Sequence, residues 1–225
     1  MDIALHYTEY GEGEPLVLLH GNGEDSTYFS RQIPILSAWF RVMAVDTRGH
    51  GESARGSAPF TLDQFAQDLA EFLDGQGVEA AHLFGFSDGA NIAILFALRY
   101  PGRVKSLVLN GGNLYPEGLD PDVRAQDAQA FREAEAAGDE RQLELLRLMM
   151  DEPHIDPALL AGIGVPTLVV AGTDDLILEE HTHLIAASIP GSRLRFVEGG
   201  HWVAGENSDV FNRVLGEFYE AQVAV

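Results

Sequence analysis

The chain has no cysteine, few cations and no long apolar run. Without cysteine it can form no disulfide, thiolate zinc site or thiol nucleophile, so any nucleophile must be an oxygen or a lysine. The same absence is compatible with the cytoplasm. Lysine and arginine together number 14 against 35 acidic residues, a formal charge of −21, which argues against binding nucleic acid or an anionic membrane through a general positive field. No segment approaches the roughly 20 apolar residues of a membrane span. The opening stretch M-D-I-A-L-H-Y-T-E-Y-G has no basic leader followed by an apolar block. The expectation is a soluble, unexported, cytoplasmic protein. No low-complexity run or long polar linker divides the 225 residues, so one domain over 1–225 is expected.

What is present is an alternation of two patterns. Short apolar runs at 15–20, 41–46, 81–86, 104–110, 165–172 and 193–198 have the continuous character of strands buried on both faces of a parallel sheet. The run from Ile3 to Tyr10 alternates more and suits an edge. Between the runs, Leu62, Phe65, Leu69, Phe72 and Leu73 recur on one helical face behind the N-cap candidate Thr61, closing near Gly75 and Gly77. A second helix is expected from Asp88 to Tyr100, where Pro101 stops it. Strand and helix in alternation predict an α/β fold with a doubly wound, mostly parallel sheet. Residues 114–160 break the rhythm: they carry no strand signal and two expected helices, at about 121–137 and 139–150. They read as a short helical cap insertion over the sheet. With 12 acidic residues against 4 arginines this insertion holds −8 of the charge, the pattern of a solvated helix face.

Candidate chemistry centres on G-F-S-D-G-A, residues 85–90. Ser87 falls where a strand gives way to a helix, and Gly85 and Gly89 flank it in the G-x-S-x-G spacing that lets a serine project from a tight turn. A serine hydroxyl needs a base that titrates near neutrality, and His201, in V-E-G-G-H-W, follows the last strand run and should emerge at the same sheet edge. His6 and His82 lie inside strand-like runs. His181 and His183 are two apart and would point to different faces of a helix, so no metal site is expected. The orienting carboxylate is Asp174 or Asp175, in A-G-T-D-D-L-I. Two backbone N–H groups would complete the set, one from H-G-N-G (20–23) and one from Asp88.

These motifs, with D-T-R-G-H-G-E-S at 46–53, resemble the α/β-hydrolase superfamily over nearly the whole chain. The resemblance implies that Asp175, three residues after the glycine of the acid loop, is the acid, and that Asn22, directly after His-Gly, carries the first oxyanion donor. It gives Arg48, Gly49, His50, Gly51 and Ser53 a structural role. The S-D-G elbow is similar to the esterase-like branch that includes valacyclovir hydrolase, although Ala90 stands where that group often has glycine and the insertion is shorter than in many members. The expected function is therefore a serine hydrolase for a small-molecule ester or related acyl substrate, with no cofactor and no metal. Ser87 would attack, His201 transfer the proton and Asp175 orient the imidazole. Phe86, Trp202, Met149 and Met150 are the candidates for an apolar acyl pocket. Cleavage of a carbon–carbon bond or a thioester on the same triad, and a receptor that keeps the triad without turnover, are the alternatives. A nucleophilic aspartate is disfavoured by serine at 87. Asp88 is either a helix-start residue favoured by the helix dipole or a carboxylate that reaches the substrate cleft and, with the −8 insertion, favours cationic or neutral acyl groups such as aminoacyl esters over anionic ones.

Overall fold

The computed structural model describes residues 2–223. Seven strands form one sheet: β1 (Tyr7–Tyr10), β2 (Glu14–Leu19), β3 (Phe40–Val45), β4 (Ala81–Phe86), β5 (Val104–Asn110), β6 (Thr167–Gly172) and β7 (Arg193–Val197). Their order is β1-β3-β2-β4-β5-β6-β7, with β1 antiparallel to β3 and every other pairing parallel. The two-residue period of a strand sends successive side chains to opposite faces. Val17 and Leu19 of β2 and Leu107 and Leu109 of β5 pack on one face, against α2 (Leu62–Gly75), α3 (Asp88–Arg99) and α6 (Glu179–Ser188). Leu16, Leu18 and Val108 pack on the other, against α8 (Ser208–Val223) and its Phe211 and Leu215. Two single turns, α1 (Ile33–Leu36) and α7 (Val203–Glu206), complete that second layer.

The local signals act as their chemistry requires. Thr61 caps α2 by accepting the Gln64 N–H, and α3 ends at Arg99, ahead of Pro101. One expectation needs correction. The last run is not buried on both faces: before the buried Val197, β7 alternates between exposed and half-buried residues because it is the outer strand of the sheet, next to β6.

The 114–160 segment contains α4 (Pro121–Ala137) and α5 (Glu140–Asp151), capped by Asp120 and Asp139. Ala134 is the sole buried residue of α4, so most of its charge is solvated. Helix α5 is tied down more firmly. Leu148 joins the main core, Arg55 grips the Glu144 carboxylate at 2.7 Å, and just beyond the helix Glu152 accepts the Leu62 N–H at 2.7 Å. These contacts hold α5 over the carboxyl ends of the strands. No helix among the described residues is long and apolar enough to cross a membrane.

Candidate active site

Ser87 is the one non-glycine residue with positive φ among the described residues, at φ 53° and ψ −121°. A dihedral of that kind costs roughly 1–3 kcal/mol and persists only where the surroundings impose it. The flanking glycines show how they do so. A Cβ on Gly85 would lie 2.1 Å from the Gly89 carbonyl oxygen, and one on Gly89 would lie 2.0 Å from that of Leu19. Only two residues without side chains allow strand, turn and helix to approach this closely.

The hydroxyl meets its partner at the sheet edge. His201 Nε2 lies 3.0 Å from Ser87 Oγ, and His201 Nδ1 lies 2.6 Å from Asp175 Oδ1. Since a carboxylate only accepts, Nδ1 carries a proton, and in the neutral form of the ring Nε2 is then the nitrogen that can take one from the serine. Asp175 also accepts from the backbone N–H groups of Gly172 and Ile177. Burial opposes its charge, but the His201 hydrogen bond and charge and those two donors outweigh it, so its carboxyl lies below the usual carboxylate range. Asp174 is exposed, and its side chain accepts from the neighbouring Thr173 hydroxyl at 3.2 Å.

The 20–24 loop passes close to the elbow: a Cβ on Gly21 would stand 3.2 Å from Ser87 Cβ. Beneath it, buried His20 accepts the Thr47 N–H at Nε2 and donates from Nδ1 to the Gly21 carbonyl. Burial lowers the His20 pKa, which keeps the ring neutral for that double role. Asn22 and Asp88 both line the cavity at Ser87. As the first residue of α3, Asp88 has an N–H without an intrahelical acceptor. The 46–53 turn acts as a brace, with Arg48 in a buried double contact to Asp68 and the Ser53 hydroxyl donating to the Asp46 carbonyl.

A cavity of about 260 Å³ opens over Ser87 between the sheet edge and the insertion. Phe86 lines it, stacked on Tyr28 with ring centroids 4.1 Å apart. Met149 lines it as well. Met150 does not, which corrects one expectation: consecutive residues on a helix point about 100° apart, so only one of the pair faces the cavity. Trp202 sits at the mouth, 48% exposed, with its indole N–H donating to Glu24 at 2.8 Å. It is an amphipathic rim residue rather than part of an enclosed apolar pocket. His181 is buried and its Nε2 accepts the Leu114 N–H, whereas His183 is exposed beside Glu179.

The lining is acidic. Glu24, Asp88, Asp127 and Glu152 all contribute, with no lysine or arginine among the described lining residues. Asp88 is buried, accepts one long bond from Asn91 Nδ2 at 3.3 Å, and leaves Oδ2 without a partner among the described residues. Burial, with Glu152 nearby, pushes its pKa up to about 7. Burial also raises Glu24, Asp127 and Glu152. Sequence reasoning missed Glu24, Asp127 and Glu152, which belong to no motif, and also Gly111. A Cβ on Gly111 would fall 2.9 Å from His201 Cε1, so the His201 ring occupies the space that glycine leaves. The only signal for Gly111 was a Gly-Gly pair after β5.

Residues 14–146 match the α/β hydrolase fold family. The chain belongs to that family. Among curated relatives it is 30% identical to RutD of Azorhizobium caulinodans, named for carbamate hydrolysis, over 95% of this chain and 94% of the relative. It is 31% identical to a 2-hydroxy-6-oxononadienedioate/2-hydroxy-6-oxononatrienedioate hydrolase of Pseudomonas putida, over 98% and 93%. A solved hydrolase from Pseudomonas aeruginosa superposes with a TM-score of 0.83 at 28% identity, covering 96% of this chain and 94% of that one. These relatives are hydrolases.

Proposed function

We propose that this protein is a serine hydrolase that cleaves small esters, or related acyl compounds, whose acyl part is neutral or cationic. The observation that carries the reading is the unbroken relay from Ser87 through His201 to Asp175 at the floor of the cavity. Ser87 Oγ attacks the carbonyl carbon while His201 Nε2 takes its proton, and Asp175 stabilises the imidazolium. Charge developing on the carbonyl oxygen is met by the backbone N–H groups of Asn22 and Asp88; loss of one such donor typically costs about 10²–10³ in turnover. Collapse of the adduct expels the alcohol, which leaves with the proton from His201. Water then enters, gives a proton to His201, attacks the acyl-enzyme and restores Ser87.

Carbon–carbon cleavage on the same triad is the second reading, favoured by the Pseudomonas putida relative. A dienedioate, as that relative's name specifies, carries two carboxylates. Four acids and, among the described residues, no lysine or arginine line this cavity, so a dianion meets repulsion where an ester with a neutral or amino-bearing acyl group does not.

The test is hydrolysis of nitrophenyl esters of graded chain length by the wild type and Ser87→Ala, with mass-spectrometric mapping of an organophosphonate adduct. Turnover should fall by several orders of magnitude in the variant, and the adduct should map to Ser87. Near-normal hydrolysis by Ser87→Ala overturns the assignment. Ligand binding with a single turnover at most would favour a receptor.

A further inference from the structure

The 20–24 loop is held at its flanks by groups of the sheet layer. His20 is fixed by Thr47, and Glu24 by Trp202, the neighbour of His201. Its middle residue is held differently. Asn22 Nδ2 donates to the Leu145 carbonyl of α5 at 2.8 Å, across 123 residues of chain. Because a carbonyl can only accept, the amide orientation is set, and Asn22 Oδ1 turns toward His50 Nε2 at 3.4 Å. Any residue at 22 would supply the backbone N–H of an oxyanion site, so this function does not account for an asparagine. The bond to α5 does.

Helix α5 is also a wall of the substrate cavity. Met149, one turn beyond Leu145, lines the cavity, as does Glu152 just past the helix end. Glu144, adjacent to Leu145, is clamped by Arg55 through Nε at 2.9 Å and Nη2 at 2.7 Å. One short stretch of helix therefore touches the substrate space, the oxyanion loop and the Arg55 anchor.

We propose that the Asn22 side chain is a positioning residue that couples α5 to the oxyanion site, so that the seating of α5 sets where the Asn22 backbone N–H points. The inference rests on the serine-hydrolase reading above. Its consequence is kinetic: an N–H that meets charge only in the transition state affects turnover and leaves ground-state binding nearly alone. Displacing the donor costs less than removing it, so the loss should fall at or below that seen for donor deletion.

The experiment uses the full chain and p-nitrophenyl butyrate, with thermal midpoints recorded for every variant. Asn22→Ala should lower kcat by roughly 10–100-fold with KM changed less than about threefold, and should react correspondingly slowly with an organophosphonate at Ser87. The double variant Arg55→Ala/Glu144→Ala, which removes one of the anchors of α5 without touching the cavity lining, should lower kcat in the wild-type background. It should add little to Asn22→Ala, because both changes break one linkage. A kcat for Asn22→Ala within twofold of wild type overturns the inference, as does full additivity of the two sets of changes. Wild-type protein that neither hydrolyses the ester nor labels at Ser87 removes the underlying reading and this inference with it. Wild-type turnover with an unaffected Asn22→Ala removes this inference alone.

Discussion

Asp175 Oδ1 stands 2.6 Å from His201 Nδ1, while the adjacent Asp174 turns to solvent. One peptide unit separates a carboxylate bonded to the imidazole from one bonded to the Thr173 hydroxyl. Asp175→Asn should therefore lower turnover by about 10⁴, since an amide favours the wrong tautomer of the ring, whereas Asp174→Asn should change it less than about tenfold. Steady-state kinetics of the two variants decide this. Equal losses would mean that the exposed residue also serves the imidazole.

Gly111→Ala provides a steric test of the same ring. The added methyl would come within 2.9 Å of His201 Cε1 from a backbone at φ +61°. Stability should drop by about 1–2 kcal/mol for the left-handed conformation alone, and turnover should fall far more than stability explains. Circular dichroism and kcat measured together separate the two effects. A folded, fully active variant would show that the ring has room to retreat.

Asp88 should make stability depend on pH in an uncommon direction. Its folded pKa of about 7 exceeds the ordinary 3.8, so between those values the folded protein keeps a proton that the unfolded chain has released. Stability from this group is thus lost as pH rises from about 4 to 7, by up to roughly 4 kcal/mol on a scale of 1.36 kcal/mol per pKa unit. Asp88→Asn removes the ionisation and keeps the shape. Its denaturation midpoint should match wild type at pH 4 and exceed it at pH 8. A constant difference across that range would contradict the buried, protonated carboxyl.

The same group should tune selectivity. Above pH 7 Asp88 adds a negative charge beside Glu152 in the cavity, favouring an aminoacyl ester over a matched acyl ester. In wild type the ratio of their kcat/KM values should rise through pH 7, and in Asp88→Asn it should be lower and flat. If the two proteins give the same ratio at every pH, Asp88 has no role in recognising substrate charge.

Much of this architecture was written in short-range patterns. The runs at 81–86 and 104–110 are β4 and β5 residue for residue, because burial on both faces demands unbroken apolar stretches. Thr61, Pro101 and the glycines around Ser87 mark their turns for reasons that operate within a few residues. Ser87, His201 and the pair Asp174/Asp175 could be singled out because each follows a strand run, and strands of a parallel sheet deliver their carboxyl ends to one edge; the choice of Asp175 over Asp174 came from the family resemblance. What tertiary packing alone decided involves residues far apart in the chain. Whether Met149 or Met150 meets the cavity depended on the rotation of α5, and the exposure of β7 on its place at the end of the sheet. Asp88 has the sequence of an ordinary helix start, yet it is buried with a free oxygen because α3 begins inside a cavity that the distant insertion closes over. The Asn22 bond to Leu145 spans 123 residues, beyond the reach of any local periodicity. Hydrophobic pattern specifies which face of an element is buried; it does not specify which element covers that face, and the acidity of this cavity was set there.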